Sequence, residues 1–190
     1  SAMKFLHSHK ILHRDLKLEN ILEDDYLFPK IADFSESKIL HENEDSISPP
    51  SFRHQVGTPF YLAPELCIMA SEPSQFSDVY SFSILMYIIL TSQNPFPKIR
   101  SVRQLYNFVA IENRRPNIPS KVPMCYQKLI KRCWSQDPQK RPTFSDIVNE
   151  LRTNNEFITS SVNKDKYYSY IEYIESQENS YDKNKKFNKI

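Results

Sequence analysis

A chain of 190 residues that is 39% hydrophobic, 25% charged and 13% aromatic can bury one substantial core, which excludes an intrinsically disordered polymer. Its 25 basic and 23 acidic residues leave a net charge of +2, which excludes the domain-wide positive field that nucleic-acid binding uses. The single glycine, Gly57, excludes a glycine-rich phosphate loop within this sequence.

In chain order, AMKFLHS at 2–8 reads as the last turns of an apolar helix, followed by the apolar pair Ile11 and Leu12. ILEDDYLFPKIAD at 21–33 alternates around a turn at Asp24 and Asp25, which predicts a small hairpin of two short strands. From Ser35 to Gln55 the chain is polar, with an acidic ENED run and serines at 46, 48 and 51, and reads as a long loop. SDVYSFSILMYIILT, opened by a cap at Ser77 or Asp78, is apolar on every side of a helix and belongs at the centre of the fold. Three amphipathic helices follow on the i, i+3, i+4, i+7 template. They use Val102, Leu105, Tyr106 and Val109; then Tyr126, Leu129, Ile130 and Cys133; then Phe144, Ile147, Val148 and Leu151. Thr143 and Asp146 give the last of these a capping-box start just after Pro142.

Beyond Thr153 the sequence is rich in Asn, Lys, Tyr and Ser and reads as a polar, flexible tail over 154–190 with at most one short helix, on which Ile171 pairs with Ile174. Its tyrosines at 167, 168, 170 and 173 read as surface residues without a partner, in preference to a docking motif. Cys67, Cys125 and Cys133 form no CxxC pair and are expected as reduced thiols, and the apolar run ILMYIIL at 84–90 is too short to cross a bilayer. With no signal peptide at its start, the chain is expected to be cytoplasmic, without membrane or nucleic-acid partners. His7, His9 and His13 lack the carboxylate or thiolate company of a metal site and read as helix-end or core residues.

The chemistry concentrates in HRDLKLEN at 13–20. A carboxylate at Asp15, a cation at Lys17 and a carboxamide at Asn20 share one short loop, and a second carboxylate, Asp33, follows the hairpin. The oxygen ligands of Asn20 and Asp33 suit magnesium, which relies on substrate phosphates to complete its shell, and the set as a whole is the inventory for phosphoryl transfer. HRDLKLEN resembles the protein-kinase catalytic loop, IADFS resembles the segment that carries the magnesium-binding aspartate, and GTPFYLAPE resembles the end of the activation segment. With SDVYSFSI and RCWSQDPQKRPTF, the resemblance covers residues 2–153.

The resemblance implies a mainly α fold, the protein-kinase-like C-lobe with one small β-hairpin and no N-lobe, over 1–153. It implies transfer of phosphate from ATP with Mg2+ to a hydroxyl of a protein substrate. Lys17 and the GTP at 57–59 resemble serine/threonine kinases, and the RCW to RPTF segment resembles their tyrosine-kinase-like branch. In this picture Asp15 is the catalytic base, Lys17 contacts the phosphate, Asn20 and Asp33 hold the metal, and Leu22 floors the adenine. His13 and Phe34 stack inside, Thr58 bonds near Asp15, Asp78 holds the loop backbone, and Glu65 pairs with Arg141. Arg14 receives a phosphate placed on Ser46, Ser48 or Ser51, with the serine left open.

The resemblance breaks in two ways. Twelve residues precede His13, so the glycine-rich loop and strand lysine that grip ATP are expected from a separate N-lobe or regulatory protein, and the chain alone is expected to be inactive. Serine also replaces glycine at position 35, and at 83 and 92. The alternative reading is a non-catalytic, kinase-like binding module.

Overall fold

The computed structural model describes residues 1–40, 57–68, 71–160 and 162–187. Ser46, Ser48 and Ser51 and the acidic run at 42–45 lie outside the described residues.

The all-round apolar segment forms one long helix, whose label follows those of two shorter ones: α1 is Ala2–Ser8, α2 is Pro64–Cys67 and α3 is the central Gln75–Thr91. Its cap is Ser74, not Ser77 or Asp78. The Ser74 hydroxyl accepts from Phe76 N at 3.2 Å while Ser74 N donates to Ser77 Oγ at 2.9 Å, a reciprocal capping box that satisfies donors otherwise orphaned at a helix start. Ser77 and Asp78 therefore sit inside the first turn, and Asp78 is buried and free to serve another element. Val79, Tyr80 and Ile84 are fully buried, whereas Ile89 reaches solvent. At the far end Ser92 takes the left-handed conformation, φ 54°, that closes a helix and that glycine fills at least strain.

Around this shaft pack α4 (Val102–Tyr106), α5 (Met124–Cys133) and α6 (Phe144–Thr153). Leu105, Val109, Leu129, Ile130, Cys133, Phe144 and Ile147 all join one core with Tyr80 and Ile84. The helix predicted through Val109 is divided, because α4 passes into a π turn over Asn107–Ile111 in which Glu112 N bonds back five residues to Asn107 O. Val102 stays exposed, since it opens the helix directly after the cap at Ser101. The capping box at Thr143 and Asp146 forms as predicted. Cys67, Cys125 and Cys133 are free and buried, and burial pushes the Cys67 and Cys133 thiols up to about 12.

Two small sheets lie at one end. The hairpin pairs β2 (Ile21–Glu23) with β3 (Pro29–Ile31) antiparallel, in the register Ile21 to Ile31, with β1 (Ile11–Leu12) preceding it. Its turn is longer than the two aspartates suggest. Asp24 Oδ1 accepts from Tyr26 N at 3.0 Å and Phe28 N at 2.9 Å, and Leu27 adopts φ 63° to let the chain return. Sequence reading missed β4 (Lys38–Ile39), a two-residue strand that pairs with β1 inside the segment taken for loop. After Thr153, where at most a short helix was expected, α7 spans Lys164–Phe187, a run of 24 residues. No described helix is long and apolar enough to cross a membrane.

Candidate active site

The 13–20 loop is fastened from below by the central helix. Asp78, 1% exposed, accepts from His13 N at Oδ2 and from Arg14 N at Oδ1, each at 2.9 Å. His7 Nε2, from α1, lies 2.9 Å from the same Oδ2. Sequence reading placed Asp78 here but missed His7, whose signal was only its position at the end of an apolar helix. The fork holds Arg14 at φ 68°, a strained conformation that persists where its surroundings over-determine it. Gly57, at φ 105°, lies against this bend, and a Cβ there would stand 2.9 Å from Arg14 O. The single glycine of the chain therefore occupies a position that a side chain would spoil.

The bend presents Asp15 to a ring of donors. Oδ1 accepts from Thr58 N and from Thr58 Oγ1, both at 2.9 Å, while Oδ2 accepts from Lys17 Nζ at 2.5 Å and Asn20 Nδ2 at 3.3 Å. Lys17 also donates to Thr58 Oγ1 at 3.1 Å, so threonine bridges the carboxylate and the cation. Burial pushes Asp15 up, but the hydrogen bonds from Lys17 and Thr58 outweigh it and hold the carboxyl below its ordinary range. The same pairing with Asp15 raises Lys17, assisted by the charges of Glu19 and Asp33. Tyr61, which the sequence did not single out, accepts from Leu18 N through its hydroxyl at 3.3 Å and steadies the loop from the other side.

The hairpin brings positions 20 and 33 together. Asn20 directly precedes β2, Asp33 follows β3 by one residue, and Ala32 N donates to Asn20 O at 2.9 Å. Asp33 sits at φ 60°, and its Oδ1 accepts from Ser35 Oγ at 2.7 Å and Ser35 N at 3.3 Å. Those bonds, with smaller effects from Lys17 and His13, hold Asp33 below the usual carboxylate range. The serine that departs from the family pattern thus makes this carboxyl more acidic. Asn20 spends its amide hydrogens on Asp15, including a 2.9 Å bond to Asp15 O, which leaves its side-chain oxygen as an acceptor.

This donor set fits magnesium. It offers a carboxamide oxygen and an exposed carboxylate, hard oxygen donors of the kind magnesium takes together with substrate phosphates.

Leu22 lies on β2 and is 55% exposed, on the face the resemblance assigns to adenine. The rings of His13 and Phe34 stand 5.2 Å apart. Farther out, the Arg141 guanidinium grips Glu65 with two bonds of 2.8 Å, its side chain wholly buried. Arg14 turns its guanidinium to Glu36, bonding its backbone oxygen and lying 3.9 Å from its carboxylate.

Comparison with known proteins decides the lineage. Residues 1–151 match the protein kinase domain. The chain belongs to the protein kinase family. It is similar to the dual specificity protein kinase shkB of Dictyostelium discoideum, 38% identical over 147 residues that cover 77% of this chain and 22% of the relative. The serine/threonine/tyrosine-protein kinase HT1 of Arabidopsis thaliana is 36% identical over 157 residues, 83% of this chain and 38% of its own length. A "Probable serine/threonine-protein kinase" of Dictyostelium discoideum is 36% identical over 150 residues, 79% of this chain and 16% of its own length. This kinase-family chain therefore spans well under half the length of each of these relatives.

Proposed function

We propose that this chain is the catalytic C-terminal lobe of an ATP-dependent serine/threonine kinase. The observation that carries the reading is the Asp15 carboxylate, buried, held by Lys17 and Asn20 of its own loop and by Thr58 from a distant segment, and kept below its ordinary range by Lys17 and Thr58. Asp15 accepts the proton of the attacking protein hydroxyl as it turns toward phosphorus. Lys17 neutralises charge that builds on the transferred phosphoryl group, and its bridge through Thr58 keeps acid and cation in register. Asn20 and Asp33 would hold Mg2+, which would supply positive charge to offset that of the phosphates. Leu22 offers an apolar surface to the base. Lys17 and the GTP at 57–59 resemble serine/threonine kinases, which supports serine and threonine as the acceptors, although dual specificity kinases stand among the relatives.

These residues form the lower half of a nucleotide site. A polypeptide of only these 190 residues lacks a glycine-rich loop, having Gly57 alone. Where positioning supplies roughly 7–11 kcal/mol, losing about 4 of it slows transfer ~10³-fold. A polypeptide of these residues by itself is therefore expected to be inactive.

The test joins residues 1–190 to the N-terminal lobe of the shkB relative and follows labelled phosphate from ATP to a protein substrate. Transfer to serine and threonine, lost in Asp15→Asn and absent from the 190-residue chain alone, is expected. Transfer to tyrosine only, transfer that survives Asp15→Asn, or full activity in the unjoined chain would contradict the reading. A fusion that binds no Mg2+·ATP would point to the non-catalytic module.

A further inference from the structure

The polar C-terminal segment has no assigned part in the site, yet one face of it is not solvent-facing. Among the residues of α7 whose burial is described, the half-buried positions are Tyr167, Tyr170, Ile171, Ile174 and Glu178, a spacing of three, four, seven and eleven that marks a single helical stripe. Two fastenings tie this stripe to the end of α6. The Tyr167 hydroxyl donates to Leu151 O at 3.1 Å, and Arg152 reaches the two oxygens of Glu178 at 3.2 and 3.3 Å. Between these fastenings two rings meet the hairpin. The ring centroids of Phe28 and Tyr170 are 4.9 Å apart, and those of Phe28 and Tyr173 are 5.1 Å apart and stacked.

The hairpin has little else to hold it. Tyr26 is 80% exposed and Leu27 is 69% exposed, and on β2 and β3 only Ile21 and Ile31, at the base, are half-buried. Phe28 is the ring at its tip that is withdrawn from water, and Asp24 aims it by accepting from its backbone N at 2.9 Å. The other end of this hairpin carries Asn20 and Asp33, joined across its base by the bond from Ala32 N to Asn20 O.

We infer that α7 is a strap that positions the magnesium-ligand hairpin, with Phe28, Tyr170 and Tyr173 as positioning residues that act through β2 and β3 on Asn20 and Asp33. The strap transmits the rigidity of the core, in which Phe144 and Ile147 anchor α6, to the tip of a two-stranded element whose own packing on the core is through Ile21 and Ile31 at its base. The catalytic consequence, though not the strap itself, rests on the function proposed above.

The test uses the full 190-residue chain and amide hydrogen exchange resolved by residue. The pair Tyr170→Ala and Tyr173→Ala is expected to speed exchange at Ala32 and Phe28 at least ~10-fold, because two of the contacts that oppose opening are gone. Leu129 and Ile130 in α5 are expected to exchange as before. Tyr170→Phe with Tyr173→Phe keeps both rings and is expected to restore hairpin protection, which a mere loss of helix solubility or folding would not follow. Unchanged exchange in the hairpin of the alanine pair, or equal acceleration in α5, would overturn the strap. A second readout separates the strap from the function. In the fusion with an N-terminal lobe, Mn2+ added with ATP is expected to broaden the Asn20 and Ser35 resonances, and to do so at ~10-fold higher concentration when the alanine pair is present. If Mn2+·ATP leaves those resonances sharp in the fusion while the alanine pair still frees the hairpin, the nucleotide reading fails and the strap stands.

Discussion

Replacing Glu65 by alanine strands a buried cation, and the structure fixes how much that costs. The Arg141 side chain is 0% exposed and Glu65 is 11% exposed, so neither charge is screened by water. After the substitution Arg141 keeps two acceptors, Phe76 O and Ser135 O, each at 2.9 Å. It also remains over the Tyr80 ring, at 5.3 Å, with the Arg115 guanidinium 5.4 Å from that ring. Glu65 is thus the carboxylate that balances a pair of neighbouring cations. Breaking such a pair costs about 3–5 kcal/mol, and the retained carbonyls place this case near the lower figure, about 3 kcal/mol. With a urea dependence of about 2 kcal/mol per molar, the midpoint of unfolding is expected to fall by roughly 1.5 M. Removing both charges together, Glu65→Leu with Arg141→Met, is expected to stay within about 1 kcal/mol of the native chain, since the buried cation leaves with its partner. Glu150→Ala supplies the contrast. Its partner Arg132 is 47% exposed, and such surface pairs contribute about 0–1 kcal/mol. A Glu65→Ala midpoint no lower than that of Glu150→Ala, or a double variant as unstable as the single one, would refute the reasoning.

Gly57→Ala combines φ 105° with a Cβ 2.9 Å from Arg14 O, so it is expected to lose more than about 1 kcal/mol of stability in urea unfolding; a neutral result would mean the bend at Arg14 moves freely. Ser35→Gly removes the hydroxyl bond to Asp33 Oδ1 and keeps the backbone one, and a carboxyl-carbon NMR titration is expected to show Asp33 rising part of the way toward its ordinary 3.8; an unmoved midpoint would assign the depression elsewhere. Acid is expected to loosen the 13–20 loop only at low pH. Folding lowers Asp15 beneath its ordinary 3.8, so the unfolded chain takes the proton first as pH falls. The stabilisation from Asp15 is complete above about pH 5 and disappears as pH drops below 3.8 through the folded value. Loss of Thr58 amide protection near neutral pH would contradict that sign.

The grouping of charges in the 13–20 loop was legible because it is local. Asp15, Lys17 and Asn20 lie within six positions, and the charges that must meet are adjacent in sequence before they are adjacent in space. The amphipathic helices were legible for the same reason, since a period of 3.6 is written in neighbouring residues. What the sequence concealed depends on contacts across long separations. His7 reaches Asp78 across 71 positions, and Phe28 meets Tyr170 and Tyr173 from the opposite end of the chain. Of the α7 stripe only Ile171 and Ile174 were visible, because the tyrosines and the glutamate that share its face are residues hydropathy counts as surface. The π turn at Asn107–Ile111 was invisible because it arises from packing and leaves the template residues Leu105 and Val109 in the core. The central helix was placed correctly but capped three residues late, as serines at 74 and 77 both suit a cap and only their mutual bond distinguishes them.

The central claim is that Asp15 transfers a proton while Asn20 and Asp33 hold the metal, and Mg2+-dependent ATP binding measured beside phosphoryl transfer separates these roles most directly. In the fusion with an N-terminal lobe, Asp33→Asn and Asn20→Ala are expected to weaken Mg2+-dependent ATP affinity at least ~10-fold, as loss of a metal ligand should. Asp15→Asn is expected to bind Mg2+·ATP as the native chain does and to transfer phosphate ~10²–10⁴-fold more slowly. Undiminished transfer in Asp15→Asn, or Mg2+ dependence that Asp33→Asn leaves intact, would contradict the account.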